Sequence, residues 1–536
     1  MSFEISGLDW PDEKMIPTFQ AIEHLDVYDV RGASRDEQVA ATIIAGIVNR
    51  PQPRVYLLTG NDDDTWLKQV FGSLPQTVAP QRGHDALSAL LDTYHSLCKG
   101  LIIFNPNLID TINIATTIAG QRDGIVVPPD LVGELQSKYN LPILEDLRKY
   151  QWSTRLQAYR WAQQNLLAGA SSRIIAGLDP RAFCGLRSFL VATRAFVYWL
   201  DSSQYLPKLS DGIVSERSLA QQLYQHFAGR GVHLGWFVSE PSGVALTSRA
   251  AIPVLASDYF TNLEVWTALQ PAERSVSIAN EGGAAGESIE IKKDKIYVSF
   301  TMSDGDNLQY CQHRLLSLWG DKARGEVPIG WTLSPSLLQT APAMADYYLR
   351  TATTNDEFIA GPSGAAYLFP SFWPEDQLGP FLQRTGKLMQ ELGMTTLEVL
   401  DSDIIYSSGF PVVSKASLNG MAFANSKRQH EFASQLAPYG VRGILSGAGF
   451  PLKKTSSQEV ESLPIYQNLG LVGSIESAMN MIKLTARLSS QRPLFLNLYV
   501  LAWSMGPTQL QQIMQQLGSN YECVLPRTLL TMLSKQ

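Results

Sequence analysis

The chain has 536 residues, with 43 basic against 50 acidic side chains and a formal charge of −7, a length that suits about three or four domains. Its mild acidity argues against a protein that coats nucleic acid, which needs a basic stripe to displace counterions, and against a polybasic membrane-surface protein. Hydrophobic residues at 45% and charged residues at 17% also argue against disorder and allow several buried cores.

The start, MSFEISGLDWPDEKM, has no basic stretch leading into an apolar one, so no signal peptide is visible and a cytoplasmic location is expected. The longest apolar runs, such as Ala40–Val48, are too short and interrupted to span a bilayer. Asp36–Arg50 has helical spacing, with Ser34 as a candidate N-cap. Pro53–Leu58 reads as a strand rich in β-branched and aromatic residues. Leu101–Pro106, Gly124–Pro129 and Arg173–Pro180 continue the alternation of strands with helices. Leu186–Leu200 reads as one helix, and Val232–Val238 as the next strand. Small α/β units with mostly parallel sheets follow from this pattern. The expected divisions are 1–98, 99–185 and 186–275. Between Pro271 and Asp294 the periodicity weakens, and the Gly-rich Glu281–Ser288 reads as the main linker, taken as 276–294.

From 295 to 536 the alternation is regular. Strands are expected at Ile296–Met302, Val327–Leu333, Phe358–Gly361, Thr395–Leu400, Val441–Ser446, Gly470–Gly473 and Pro493–Trp503, with helices between them and a last strand at Tyr521–Leu525. About seven or eight β/α steps predict a (β/α) barrel or a distorted, seven-stranded relative. An open doubly wound sheet is the alternative. The fold class is therefore α/β, small N-terminal domains followed by a C-terminal barrel.

In such sheets function collects at the carboxyl ends of the strands. Ile296–Met302 is followed by Ser303, Asp304, Gly305, Asp306 and Asn307. Two carboxylates this close repel one another, and a raised pKa on one would make it a general acid. The competing reading is an Asp-rich turn in which Asp306 or Asn307 caps the next helix. Thr395–Leu400, with Glu398 inside it, is followed by Asp401 and Asp403. The two acidic exits together supply what a glycosidase needs, although a solvated turn explains the second equally well. A third feature is Asn355–Pro374, where Gly361, Pro362 and Gly364 enforce turns and Tyr367, Phe369, Phe372 and Trp373 crowd into seven residues. Exposed, these rings would stack on a pyranose; buried, they would plug the end of the sheet. Trp331 and Trp503 belong to strands that reach the same end.

GAAYLFP (Gly364–Pro370) resembles a relaxed form of the GxGYxYP signature, which names a family of glycoside hydrolases by designation. SDGDN, GWTLSP, NDEFIAGPSG and PLFLNLYVLAW also resemble that family's C-terminal domain, and VYDVRGASRDEQVAATIIAGIVNRPQPRVYLL its N-terminal domain. SEPSGVALTSRAAIPVLASDYFTNLEV resembles the end of its third domain, so the likeness covers nearly the whole chain. Gly364, Tyr367 and Pro370 carry the signature. Ala366 stands where the second Gly is expected and Phe369 where the second Tyr is expected. The resemblance implies the architecture and a carbohydrate substrate; it brings no catalytic pair.

The leading hypothesis is a carbohydrate hydrolase, with Asp304 or Asp306 as acid or nucleophile, Asp401 or Asp403 opposite, and Tyr367, Trp373, Trp331, Trp503 and Asn307 around the sugar. No cofactor and no metal are expected, and no nucleic-acid or membrane partner. Two alternatives stay open: a non-catalytic carbohydrate-binding protein, and a metal-dependent deacetylase. The deacetylase needs neighbouring histidines, and only His313 and His430 lie in the C-terminal part, without metal-ligand spacing. Cys98, Cys184, Cys311 and Cys523 form no CxxC pair.

Overall fold

The computed structural model describes residues 8–182, 185–207, 214–271, 290–305, 307–402, 405–407, 410–412, 421–449 and 457–535. Glu281–Ser288, Asp306 and Asp403 lie outside the described residues. The chain divides into two compact units, Met1–Pro271 with Gln339–Met344, and Ala272–Leu338 with Ala345–Gln536. No helix among the described residues is long and apolar enough to cross a membrane.

Among the described residues the first unit holds three small parallel sheets. β1 (Leu25–Asp29) lies between β2 (Val55–Leu58) and β3 (Gln76–Arg82). β4 (Gly100–Ile103) lies between β5 (Gly124–Val127) and β6 (Ile143–Asp146). The third sheet runs β10 (Val254–Ala256), β9 (Val232–Gly235), β7 (Ile174–Gly177), β8 (Phe196–Tyr198). Thus Arg173–Pro180, which the expected divisions place within 99–185, contributes β7 to the third sheet. The Leu186–Leu200 stretch is not one helix. A helix covers Arg187–Ala192, Arg194 takes φ +55°, and the β-prone Phe196–Tyr198 forms β8, a tertiary demand that overrides helical spacing.

Ser34 caps the helix Arg35–Asn49 in a reciprocal pairing with Glu37. That helix packs so closely on Arg187–Ala192 that a Cβ on Gly46 would lie 2.3 Å from the Ser188 carbonyl oxygen. Buried polar groups tie the elements together. Glu264 accepts from Asn49 Nδ2 and from Ser188 Oγ, each at 2.9 Å, and burial raises its carboxyl. The Asn262 carboxamide bonds both the N–H and the C=O of Leu57 at 3.0 Å, standing in for a neighbouring strand.

The second unit is a mixed α/β body around a large curled sheet. Its strands are β11 (Ile296–Met302), β12 (Ile329–Leu333), β13 (Asp356–Ala360), β14 (Thr396–Val399), a small hairpin of β15 (Ile405–Ser407) and β16 (Phe410–Val412), β17 (Gly443–Ser446), β18 (Ser457–Val460), β19 (Leu463–Gln467), β20 (Leu471–Val472), β21 (Leu494–Val500) and β22 (Tyr521–Cys523). The sheet order is β18-β19-β17-β14-β13-β12-β11-β21-β20, with β22 added beside β11. Among the described strands of this sheet, only β18 runs antiparallel to its neighbour. Three residues separate β19 from β20. The first half of this stretch bonds β17, while Leu469 donates to Asn497 O at 3.0 Å and Leu501 to Val472 O at 2.9 Å on the β21 side.

Strand alternation assigns the two faces. On one, Tyr297, Ile359, Leu445, Tyr466 and Phe495 pack with Leu529, Leu530 and Met532 of the final helix, Pro526–Leu533. Buried Glu357 satisfies that helix's start by accepting the Arg527 backbone N–H at 2.8 Å. On the other face, Trp331 packs against Trp319, and its indole N–H donates to Asp356 at 2.8 Å. A fully buried Trp ring of about 200 Å² removes roughly 5 kcal/mol of apolar exposure before entropy is counted. Trp331, proposed from sequence as part of a sugar wall, occupies the position of a core ring.

Candidate active site

The parallel direction brings the exits of β11, β12, β13, β14 and β21 to one end of the sheet. At the β11 exit, Ser303 donates its N–H to Val500 O at 2.9 Å, and its hydroxyl reaches Asp304 Oδ2 at 2.5 Å. Ala502 N–H in turn donates to Ser303 Oγ at 3.1 Å. These bonds lock the β11 and β21 exits together. Asp304 takes φ +73°, a left-handed conformation uncommon outside glycine. The next residue must be Gly305, because a Cβ there would lie 1.8 Å from Thr332 O. Gly305 N–H donates to Thr332 Oγ1 at 2.9 Å, and Gly305 O accepts Ser334 N–H at 2.7 Å. The strain and the close approach fix the Asp304 backbone.

Burial pushes the Asp304 carboxyl above the usual carboxylate range, against smaller opposing effects from the Ser303 hydroxyl, which donates to it, and from the Trp503 indole. Trp503 is 49% exposed. Asn307 is the N-cap of the short helix Leu308–Gln312, its side chain accepting the Tyr310 N–H at 3.1 Å. Capping therefore accounts for Asn307.

The β14 exit is built differently. Asp401 is fully buried and accepts the backbone N–H of Ser371 at 2.9 Å, the Ser371 hydroxyl at 2.6 Å and the Ser402 N–H at 2.9 Å. Three donors suit an acceptor-only carboxylate. They also tie β14 to the aromatic segment that follows β13. Further bonds do the same: Ser363 N–H donates to Glu398 O at 2.7 Å, and Ser363 Oγ to Leu400 O at 2.9 Å. Gly361 leaves room for the buried Glu398 side chain, whose Oε2 would lie 3.0 Å from a Cβ on Gly361. Two strands, β12 and β13, separate the exits. Three inter-strand steps make roughly 14 Å along the sheet, shortened across the curl.

The ring-bearing segment is buried: Tyr367, Phe369 and Trp373 are at most 4% exposed. Tyr367 meets Phe369 edge-on with centroids 5.6 Å apart, and Trp373 packs on Phe381. Pro370 opens a short 3-10 turn, Pro370–Phe372, that presents Ser371 to Asp401. The Trp373 carbonyl accepts from Arg428 at 2.6 Å. These rings brace the loop, whereas Trp503 at the β21 exit is half exposed. Among the described residues no three His, Cys, Asp or Glu converge as a metal-binding group. His430 faces Glu461 at 3.0 Å.

Residues 294–534 match the GxGYxYP putative glycoside hydrolase C-terminal domain, and residues 98–170 and 172–268 match that family's second and third domains. The chain belongs to the GxGYxYP family. A crystal structure described as a putative hydrolase from Bacteroides thetaiotaomicron VPI-5482 shares the fold, with a TM-score of 0.79, 20% identity and 99% of each chain covered. No curated protein matches.

The departures from the GxGYxYP signature now have a physical reading. Positive φ occurs at Ser363 (+67°) and Gly364 (+127°), and Ala366 is not among the positive-φ residues. Alanine there carries no backbone penalty. At Gly364 a Cβ would lie 2.7 Å from Thr385 Oγ1, so close approach and conformation both demand glycine. Phe369 is fully buried, a setting in which a ring without a hydroxyl leaves no polar group to satisfy.

Sequence reasoning missed Tyr310. Its ring meets Trp503 at 5.8 Å, edge to face. Its phenol oxygen is buried with no hydrogen-bond partner among the described residues. A tyrosine three positions after a helix cap reads as ordinary packing, so no pattern in the chain marks it.

Proposed function

We propose that this protein is a carbohydrate hydrolase whose C-terminal unit cleaves a glycosidic bond with Asp304 as general acid and a carboxylate from the β14 exit, Asp401, opposite it. The observation that carries the reading is the half-buried Asp304 carboxyl at the β11 exit, fixed there by its backbone and raised by burial, with the half-exposed Trp503 at the neighbouring β21 exit. Membership of a family designated as glycoside hydrolases supports the substrate class. Glycosidases separate two carboxyls by environment: one is held protonated by burial, and the other is kept ionised by hydrogen bonds. Asp304 fits the first description. Asp401 offers its oxygens to three donors, the Ser371 N–H and hydroxyl and the Ser402 N–H.

In this reading Asp304 protonates the leaving oxygen while Asp401 faces the developing positive charge at the anomeric carbon. The pair needs neither metal nor cofactor. Trp503 supplies the stacking platform. Tyr367 and Trp373 act by holding the loop that carries Ser371, and Asn307 by capping. Asp306 and Asp403 share the two exits and are the alternates that substitution must separate from Asp304 and Asp401. We also read the curled sheet as a distorted seven-stranded barrel closed through residues 463–472, a reading supported by the bonds of that stretch to β17 on one side and β21 on the other.

The test is hydrolysis of a panel of α- and β-linked oligosaccharides, scored by new reducing ends. Asp304→Asn is expected to abolish turnover of the responsive member, whereas Asp306→Asn leaves most of it. An Asp304→Asn protein as active as the parent, or a parent that binds a glycan without cleaving it, would overturn the assignment.

A further inference from the structure

The third sheet encloses a chain of titratable groups that the proposed hydrolysis does not use. Of the seven histidines, His233 on β9 is the one that is fully buried. Its Nε2 lies 2.9 Å from the Tyr198 hydroxyl of β8, and that hydroxyl lies 2.5 Å from the Tyr224 hydroxyl on the helix Glu216–Phe227. Both tyrosines are fully buried. Phe237 stacks on the imidazole with centroids 4.2 Å apart, and a Cβ on Gly177 of β7 would lie 3.3 Å from its Cε1 and Nε2. The other ring nitrogen, Nδ1, is buried with no hydrogen-bond partner among the described residues.

Counting hydrogens orders the chain. If Tyr224 donates to Tyr198 and Tyr198 donates to Nε2, both hydroxyl hydrogens are used, and the hydrogen of the neutral ring sits on Nδ1 as the single unmet group. The reverse order leaves two groups unmet, the Tyr224 hydrogen and the Nδ1 lone pair. Each buried unmet group costs free energy, so the first order is the lower one.

We infer that Tyr224, Tyr198 and His233 form an acid-sensitive lock in the third domain, closed while the imidazole is neutral with its hydrogen on Nδ1 and released by local opening of that domain when a proton reaches Nε2. The inference is independent of the role proposed for Asp304. Protonation reverses the chain: Nε2–H donates to Tyr198 and Tyr198 to Tyr224. The Tyr224 hydrogen and the Nδ1–H are then both unmet beside a buried charge. The Phe237 face attracts a cation, but one ring replaces little of the water that an ion gives up. Among the described residues no carboxylate bonds the imidazole, and burial alone pushes its pKa down to about 3. On the flanking strands β7 and β10, Ile175 and Val254 lie opposite His233, and the helix Glu240–Arg249 meets the Phe237 ring at Gly243. The charged and titratable groups bearing on the chain are Arg217, which acts on Tyr224 and donates to Ser202 O at 2.7 Å, and Tyr159, which acts on Tyr198. Neither is an anion at neutral pH. The fold therefore holds the neutral ring. The lock contributes fully above the ordinary histidine value of about 6.5, and its contribution is lost as pH falls from there toward the folded-state value. Across that window opening binds one more proton, so the opening constant rises about tenfold per pH unit.

The test is hydrogen exchange read by mass spectrometry on the full chain, incubated in mild urea between about pH 7 and about pH 4 and then labelled in a pulse at one fixed pH. The comparison is with His233→Gln, whose amide oxygen can accept from Tyr198 but takes no proton. For peptides covering β7 to β10, the ratio of opening constants, parent over variant, should rise about tenfold per pH unit below about 6.5. Peptides from Ile296–Val500 should follow the same course in both proteins. A ratio for the third domain that stays flat with pH overturns the inference. Should His233→Gln fail to fold, the ring-carbon shifts of carbon-labelled histidine in the parent decide. One histidine signal is expected to stay neutral at about pH 5, well below the ordinary value, with its hydrogen on Nδ1. The absence of such a signal overturns the inference.

Discussion

The exits of β11 and β14 carry similar strings of residues, Ser303-Asp304-Gly305 and Asp401-Ser402, yet the fold treats their carboxyls in opposite ways. Asp304 is held by a strained backbone and a neighbour that only glycine permits, with few donors and a half-exposed Trp503 at the neighbouring β21 exit. Asp401 is enclosed and fully engaged with the loop from β13. The difference teaches that acidic residues at strand ends take their chemistry from what surrounds them. Burial with few partners favours a proton donor, and burial with several donors ties a carboxyl to the segment that supplies them.

Substitutions at the two exits should separate along that line. The largest effect expected is on activity at the β11 exit: Asp304→Asn lowers kcat/KM on an oligosaccharide by about 10²- to 10⁴-fold while the melting temperature holds or rises. At the β14 exit activity is expected to fall too, and there stability falls with it. Asp401→Ala strands the Ser371 and Ser402 donors and should cost about 2–4 kcal/mol in denaturant unfolding, with the loop holding Trp373 becoming sensitive to protease. Equal loss of stability in both variants would erase the distinction between them. A smaller effect is expected for Trp503→Ala, where losing a stacking face raises KM about tenfold with kcat little changed.

The smallest effect is on the pH dependence of folding. Asp304 holds its proton to a higher pH in the folded chain than in the unfolded one. Its contribution is therefore fully present below the ordinary aspartate value of about 3.9 and is lost as pH rises through the folded-state value. Thermal melts of Asp304→Asn should fall less than those of the parent across that window. A steeper fall would mean that Asp304 is charged in the fold.

Local chemistry made much of this legible in the chain. Ser34 and Glu37 form the cap that their spacing announces, and β11 spans Ile296–Met302 as its run of β-prone residues indicates. The exits could be found because strand direction follows from alternation with helices. What the chain could not disclose depends on packing between distant segments. Trp331 shares a strand with residues of both faces, and only the sheet's register turns it toward Trp319 and Asp356. Leu186–Leu200 has helical spacing, and the need of the third sheet for β8 breaks it. The final helix is held by partners far away in sequence, and β18 and β19 form a local hairpin whose positive-φ turn, Glu461–Ser462, carries no Gly or Asn to mark it. Asp401 reads as a solvated turn until Ser371, thirty positions earlier, is brought to it.

The most direct test is a crystal structure of the Asp304→Asn protein soaked with the oligosaccharide that the parent cleaves. The account predicts a sugar ring stacked on Trp503, with a glycosidic oxygen within hydrogen-bond reach of residue 304. An oligosaccharide seated away from the β11 exit, or one whose scissile oxygen faces some other carboxyl, would contradict it.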